Sequence, residues 1–111
     1  MKLASEEIFA LTMLFGNQKL FEDAVIYQLD SAEVLERKET GVGYFTKIKF
    51  VNPLPDCCNR KIWDWNFNHK NLKYGGSFIA YYEPPNLIEL EAVVHDGLWP
   101  KGFDKSAFSA V

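Results

Sequence analysis

The chain has 111 residues, a mass of 12.8 kDa and a formal net charge of −3. At this mass folding hides roughly two-thirds of the unfolded surface, taking about 18,600 Å² down to about 6,300 Å², enough for one core and too little for two. Nine Phe, five Tyr and three Trp argue against disorder, and the acidic balance argues against a nucleic-acid partner held by phosphate neutralisation.

One domain over 1–111 is expected, with a helical pair over 1–30, an antiparallel sheet over 31–100 and a tail over 101–111. Ala4, Ile8, Leu11 and Phe15 recur at helical spacing. Ser5 stands at a capping position. Glu6 and Glu7 fall in the first turn, where the helix dipole favours negative charge, and Gly16-Asn17 is a stop signal. Leu20, Phe21, Ala24, Val25 and Gln28 predict a second short helix ending near Asp30, with too few basic residues to read a DNA groove.

From residue 31 the period becomes two and predicts five strands, at 32–39, 43–51, 61–68, 76–83 and 87–94. Thr40-Gly41-Val42-Gly43 supplies a tight hairpin, and Asn52-Pro53-Leu54-Pro55-Asp56 cannot continue a strand. Asn71 to Gly76 reads as a longer connection, and Glu83-Pro84-Pro85-Asn86 as a four-residue turn. Short connections make a meander the simplest topology. The expected fold class is therefore α+β, two N-terminal helices packed on one face of a five-stranded, mostly antiparallel meander sheet. The tail has reason to be rigid only if Phe103 or Phe108 docks.

Alternation assigns the faces. Trp63, Trp65 and Phe67 share one side, as do Tyr44, Ile48 and Phe50, and Ile88, Leu90, Ala92 and Val94. Lys47, Lys49, Asp64, Asn66, Glu89 and Glu91 form the wet side. The segment Phe78 to Tyr82 is apolar or aromatic on both faces, which fits a central strand or an exposed aromatic surface, so Tyr81 is a candidate contact residue.

No segment reaches the ~20 apolar residues of a membrane span, and Glu6 and Glu7 interrupt any signal-peptide core. A cytoplasmic location with no membrane partner is expected. Cys57 and Cys58 are adjacent and the only cysteines, so a disulfide framework is excluded. A redox or metal role competes with the plainer reading of two small apolar residues in a loop. His69 and His95 are the only histidines, no CxxC or HExxH is present, and no metal or cofactor is expected.

Catalytic signals are weak. Glu89 and Glu91 have Cβ atoms about 7 Å apart along one strand face, which suits a solvated charged surface better than a glycosidase pair on opposite cleft walls. His95-Asp96 is unsuited to a direct contact, because neighbours in extended chain point apart. No Ser or Cys has a base nearby by any motif. Trp99 leaves the last strand in a loop, where tryptophan is a lid on the core or an anchor for a partner.

The run Arg37-Lys38-Glu39-Thr40-Gly41-Val42-Gly43-Tyr44-Phe45-Thr46 resembles the R-x-x-T-G-V-G-F-F-T hairpin of a family of small bacterial proteins of unknown function. That family continues with a glycine-rich turn into a strand, a leucine–glutamate strand and a terminal W-P. The counterparts here are Tyr74-Gly75-Gly76-Ser77-Phe78, Leu90-Glu91 and Trp99-Pro100. The likeness covers about residues 30 to 100. It departs at Ala92, where glycine is more usual, and at the Pro84-Pro85 turn. The resemblance implies no catalytic residue; some relatives look similar to immunity proteins of toxin systems.

Two readings follow. One is a non-enzymatic interaction domain, an inhibitor or immunity-like protein or a homodimer built through the sheet, whose acidic surface suits a basic partner. The other is a small-ligand module or minor enzyme with a pocket near Trp99 and Arg37, Thr46, Glu91 and His95 as its polar candidates.

Overall fold

The computed structural model describes residues 1–56 and 59–111; Cys57 and Cys58, weighed above as a redox or metal pair, lie outside the described residues. Helix α1 spans Ser5–Phe15 and α2 spans Glu22–Ile26. The strands are β1 (Glu33–Glu39), β2 (Gly43–Lys49), β3 (Ile62–His69), β4 (Leu72–Glu83), β5 (Leu87–Val94) and β6 (Phe108–Ala110), with a 3₁₀ turn over Lys105–Ala107 before β6. The fold is α+β, with one antiparallel sheet in the order β1-β2-β5-β4-β3-β6. Its exposed surface of 6562 Å² is close to the ~6,300 Å² expected for the mass.

Three expectations are corrected. The sheet has six strands rather than five, because the tail docks: Phe108, Ser109 and Ala110 pair with His69, Asn68 and Phe67. The second helix is only five residues long, and turns replace it from Tyr27 to Ser31. The topology is not a simple meander, since β5 lies between β2 and β4. The chain leaving β2 crosses the β4–β5 turn to reach the far side. Phe50 N donates to Asn86 O at 2.9 Å, Asn86 Nδ2 returns to Phe50 O at 2.8 Å, and Leu54 N donates to Pro85 O at 2.8 Å. Buried Gln28 pins the same crossing, accepting from Asn52 N at 2.7 Å and donating to Asn52 O at 3.3 Å. Tyr82 adds a hydroxyl bond to Leu54 O at 2.9 Å.

The predicted connection from Asn71 to Gly76 is largely strand. β4 begins at Leu72, and a bulge between Phe67 and His69 absorbs the mismatch. Glycine is required at both positions of the pair. Gly75 has φ +67, and a Cβ there would lie 2.1 Å from Phe67 O. Gly76 faces Phe67 across the strands, and a Cβ would meet that ring at 2.9 Å and Val93 O at 2.5 Å.

The predicted faces hold. Phe15, Phe50, Phe67, Phe78, Ile48, Ile88 and Leu90 are fully buried between helices and sheet, with Trp63 beside them. Trp65 is half-buried on the same face, packed on Phe9, Phe67 and Phe78 at ring separations of 5.6–6.2 Å. β4 is an interior strand whose Phe78, Ala80 and Tyr82 enter the core, while Tyr81 is exposed on the other face. The tail is tied by Phe103 and Phe108, which reach Phe9 at 5.5 and 5.0 Å. Charged residues along β1 and the three-residue length of β6 leave both sheet edges poor templates for further pairing. Among the described residues no helix is long and apolar enough to cross a membrane.

Candidate functional site

A cleft of about 670 Å³ opens where the start of α1, the β1–β2 hairpin and the loop after β5 meet. A smaller depression of about 250 Å³ on the wet face is lined by Glu36, Lys38, Phe45, Lys47 and Glu89. The larger cleft has aromatic walls and convergent polar groups, the usual make-up of a binding site.

Its floor is built from a helix glutamate. Glu7 lies on the α1 stripe that carries Leu11 and Leu14, so the helix drives a carboxylate toward the core, where it is 3% exposed. Four donors satisfy it. Ala4 N (2.7 Å) and Arg37 Nη2 (2.7 Å) reach Oε1, while Arg37 Nε (2.9 Å) and Thr46 Oγ1 (2.7 Å) reach Oε2. The Ala4 bond is the carboxylate half of a capping box; Ala4, not Ser5, is the N-cap. Burial pushes the Glu7 carboxyl up, but the bonds from Arg37, Ala4 and Thr46 and the charge of Arg37 more than offset it and hold the group below its ordinary value.

Arg37 reaches this side of the sheet because of a bulge. The β1–β2 register shifts between Val34 and Glu36, so Leu35 is extra. Val34 and Arg37 therefore face the same way although they are three residues apart, and Arg37 pairs directly with Thr46.

Above this floor sit Glu6, Tyr44 and Trp99. The Trp99 indole donates from Nε1 to Glu6 Oε1 at 3.0 Å, and its backbone N donates to Gly41 O at 3.0 Å. Its ring meets Tyr44 at 5.5 Å and 83°, Phe78 at 5.8 Å and Phe67 at 6.1 Å. Trp99 is thus a lid on the core and a wall of the cleft at once. Gly41, at φ +84, turns the hairpin so that its carbonyl meets Trp99. Gly43 leaves no room for a side chain, since a Cβ would lie 1.6 Å from Ala92 O.

Burial raises the Glu6 carboxyl above its ordinary value, and the neighbouring Glu7 charge raises it further. Tyr44 and Trp99 offset part of this. The Tyr44 phenol is pushed far up, first by burial and then by the Glu6 charge. Its hydroxyl stands close enough to Glu6 for each to move the other's proton affinity. It nevertheless meets no partner at hydrogen-bond distance and angle, and its oxygen is shielded from solvent. Leu98 stands at the rim, 74% exposed, and Pro100, Lys101, Gly102 and Phe103 complete the wall.

The structure divides the sequence candidates. Arg37, Thr46 and Trp99 gather around Glu6 and Glu7. Tyr81, Glu91 and His95 lie on the opposite side of the sheet and have no part in the cleft. There the Tyr81 hydroxyl donates to Glu91 Oε1 at 2.9 Å, a bond that raises the phenol above its ordinary value. His95 Nε2 is 3.1 Å from Ser77 Oγ, and Nδ1 is 3.1 Å from Tyr74 O. Sequence reasoning missed Glu6, Glu7, Tyr44 and Phe103 as cleft residues. Only Glu7 carried a signal, as an acidic residue on an apolar helix stripe. Among the described residues no cluster of three or more His, Cys, Asp and Glu side chains is arranged to hold a metal ion. No family model matches the chain, nor does any curated protein or solved structure.

Proposed function

We propose that this chain is a binding domain that engages a protein partner through the cleft beside Trp99, receiving there a side chain that the partner presents. The observation that carries the reading is an open cleft of about 670 Å³ whose apolar wall ends in an exposed leucine, Leu98. Aromatic anchors set in a well-packed pocket are the usual make-up of an interface centre. The hairpin that resembles the bacterial family supplies the scaffold: Arg37 and Thr46 hold Glu7, Gly41 holds Trp99, and Tyr44 forms the wall. An immunity-like role, which that resemblance implies, agrees with a contact surface of this kind.

A small-molecule ligand is the second reading, favoured by the volume of the cleft, which falls in the range of small-ligand sites. Both readings are tested by a screen of fragments and short peptides, followed through the amide and indole resonances of the intact chain. Perturbations are expected to centre on Gly41, Tyr44 and Trp99. Perturbations confined to the wet face around Tyr81 and Glu91, or none at all, refute the cleft as the binding site.

A further inference from the structure

We propose that the cleft beside Trp99 selects an organic cation, an ammonium group carried on an apolar stem; this rests on the reading of the cleft as a binding site. The charges at the cleft are Glu6, Glu7, Glu39, Arg37 and Lys101. Glu7 and Arg37 cancel each other. Their contact is bidentate, Ala4 N and Thr46 Oγ1 take the remaining places on the carboxylate, and Arg37 Nη2 also binds Lys2 O at 3.0 Å. That closed pair offers a ligand neither a free anion nor a free cation.

Glu6 is differently placed. Trp99 holds Oε1, and the Tyr44 hydroxyl stands beside the same carboxylate. Lys101 makes no ion pair with Glu6 or Glu39 among the described residues. The cleft therefore presents a half-buried carboxylate with no partner cation among the described residues. Beside it, the Tyr44 and Trp99 rings stand at 83°, 5.5 Å apart. A cation on an aromatic face is drawn by the ring quadrupole, and a carboxylate at the same place adds a charge-assisted hydrogen bond. Leu98, Pro100 and Phe103 would cover an apolar stem, as surfaces cover the stem of a lysine whose head stays polar. An anion would meet Glu6 and Glu39 and find its natural partner, Arg37, already committed. A neutral group would leave the Glu6 charge uncompensated.

The test follows the Trp99 indole N–H resonance of the intact chain during titration with n-butylammonium, with its neutral analogue n-butanol and with Nα-acetyl-lysine methylamide. Both cations are expected to shift the resonance saturably, and n-butanol to bind at least tenfold more weakly. Glu6→Gln should weaken cation binding at least tenfold, while Glu89→Gln, on the wet face, leaves it unchanged. Tighter binding of the lysine derivative assigns the cation to a protein partner, and tighter binding of the free amine assigns it to a small molecule. Equal binding of n-butanol and n-butylammonium overturns the cation inference and leaves the cleft reading standing. Absence of any shift with the cations also overturns it, and the fragment screen then decides the cleft reading separately. If Glu6→Gln fails to fold, the comparison of cation with neutral analogue on the parent chain still decides.

Discussion

Arg37→Ala probes the Glu7 floor most directly. The Glu7 side chain is 4% exposed and the Arg37 side chain 36%. Truncation removes two charge-assisted bonds, of 2.7 and 2.9 Å, and leaves the carboxylate with Thr46 and Ala4. Hydrogen bonds to charged groups contribute about 1.5–3 kcal/mol each, but a third-exposed guanidinium is screened and water can enter its place, so the net loss is about 2–3 kcal/mol. For 111 residues an unfolding entropy of about 2.1 cal/mol/K per residue makes 1 kcal/mol worth about 4 °C, so Tm should fall by about 8–13 °C. Thermal and urea unfolding at neutral pH measure this, with the denaturant slope unchanged. The pH dependence adds a second readout. Because Glu7 is held below its ordinary value of 4.5, its contribution is complete above that value and is lost as pH falls through the lower folded one. Arg37→Ala should therefore flatten the acid limb of the stability curve. A loss under about 0.5 kcal/mol, or a Glu7→Gln/Arg37→Ala cycle with no coupling, refutes the account of the floor.

The other predictions concern separate parts of the molecule. Glu6→Gln should raise stability at neutral pH, because the folded state holds this carboxyl above its ordinary value and ionisation costs; the gain should vanish below the unfolded value of 4.5, as melts across the pH range would show. Phe78→Ala, at a fully buried position, should cost about 3–5 kcal/mol in urea unfolding. Gly76→Ala should cost about 2–3 kcal/mol, since the new Cβ meets a backbone carbonyl at 2.5 Å and the Phe67 ring cannot retreat far. Glu89→Gln should stay within about 0.5 kcal/mol of the parent, and a larger loss would show that the wet face is covered.

Much of the fold is legible because side-chain period reports burial directly. The Trp63, Trp65 and Phe67 stripe, the Ile88 to Val94 stripe and α1 are all read from spacing. Period does not name a strand's neighbour, so the place of β5 between β2 and β4 was hidden. That place is set by the bonds of Phe50 and Leu54 to the β4–β5 turn. β6 is too short for alternation to register. The cleft was half legible. Trp99 in a loop, with Arg37 and Thr46 in the hairpin, pointed to it. The bulge at Leu35, which gives Arg37 its direction, follows from pairing rather than from the local pattern. Glu91 is out of phase with buried Leu90, so parity already placed it away from Trp99.

The position of β5 has a consequence for how the chain assembles. The β1–β2 and β3–β4 hairpins need only local strand pairing, but no strand pairs with both until β5, the last long strand, enters between them. Until then each presents an open edge, β2 on one side and β4 on the other, and these are the stickiest surfaces the chain owns. Sheet closure must await long-range pairing across residues 43–49 and 87–94, a high-contact-order step that slows folding. A chain made only as far as residue 86 therefore lacks the one strand that pairs with both hairpins, and the sheet can close only after residues 87–94 are available.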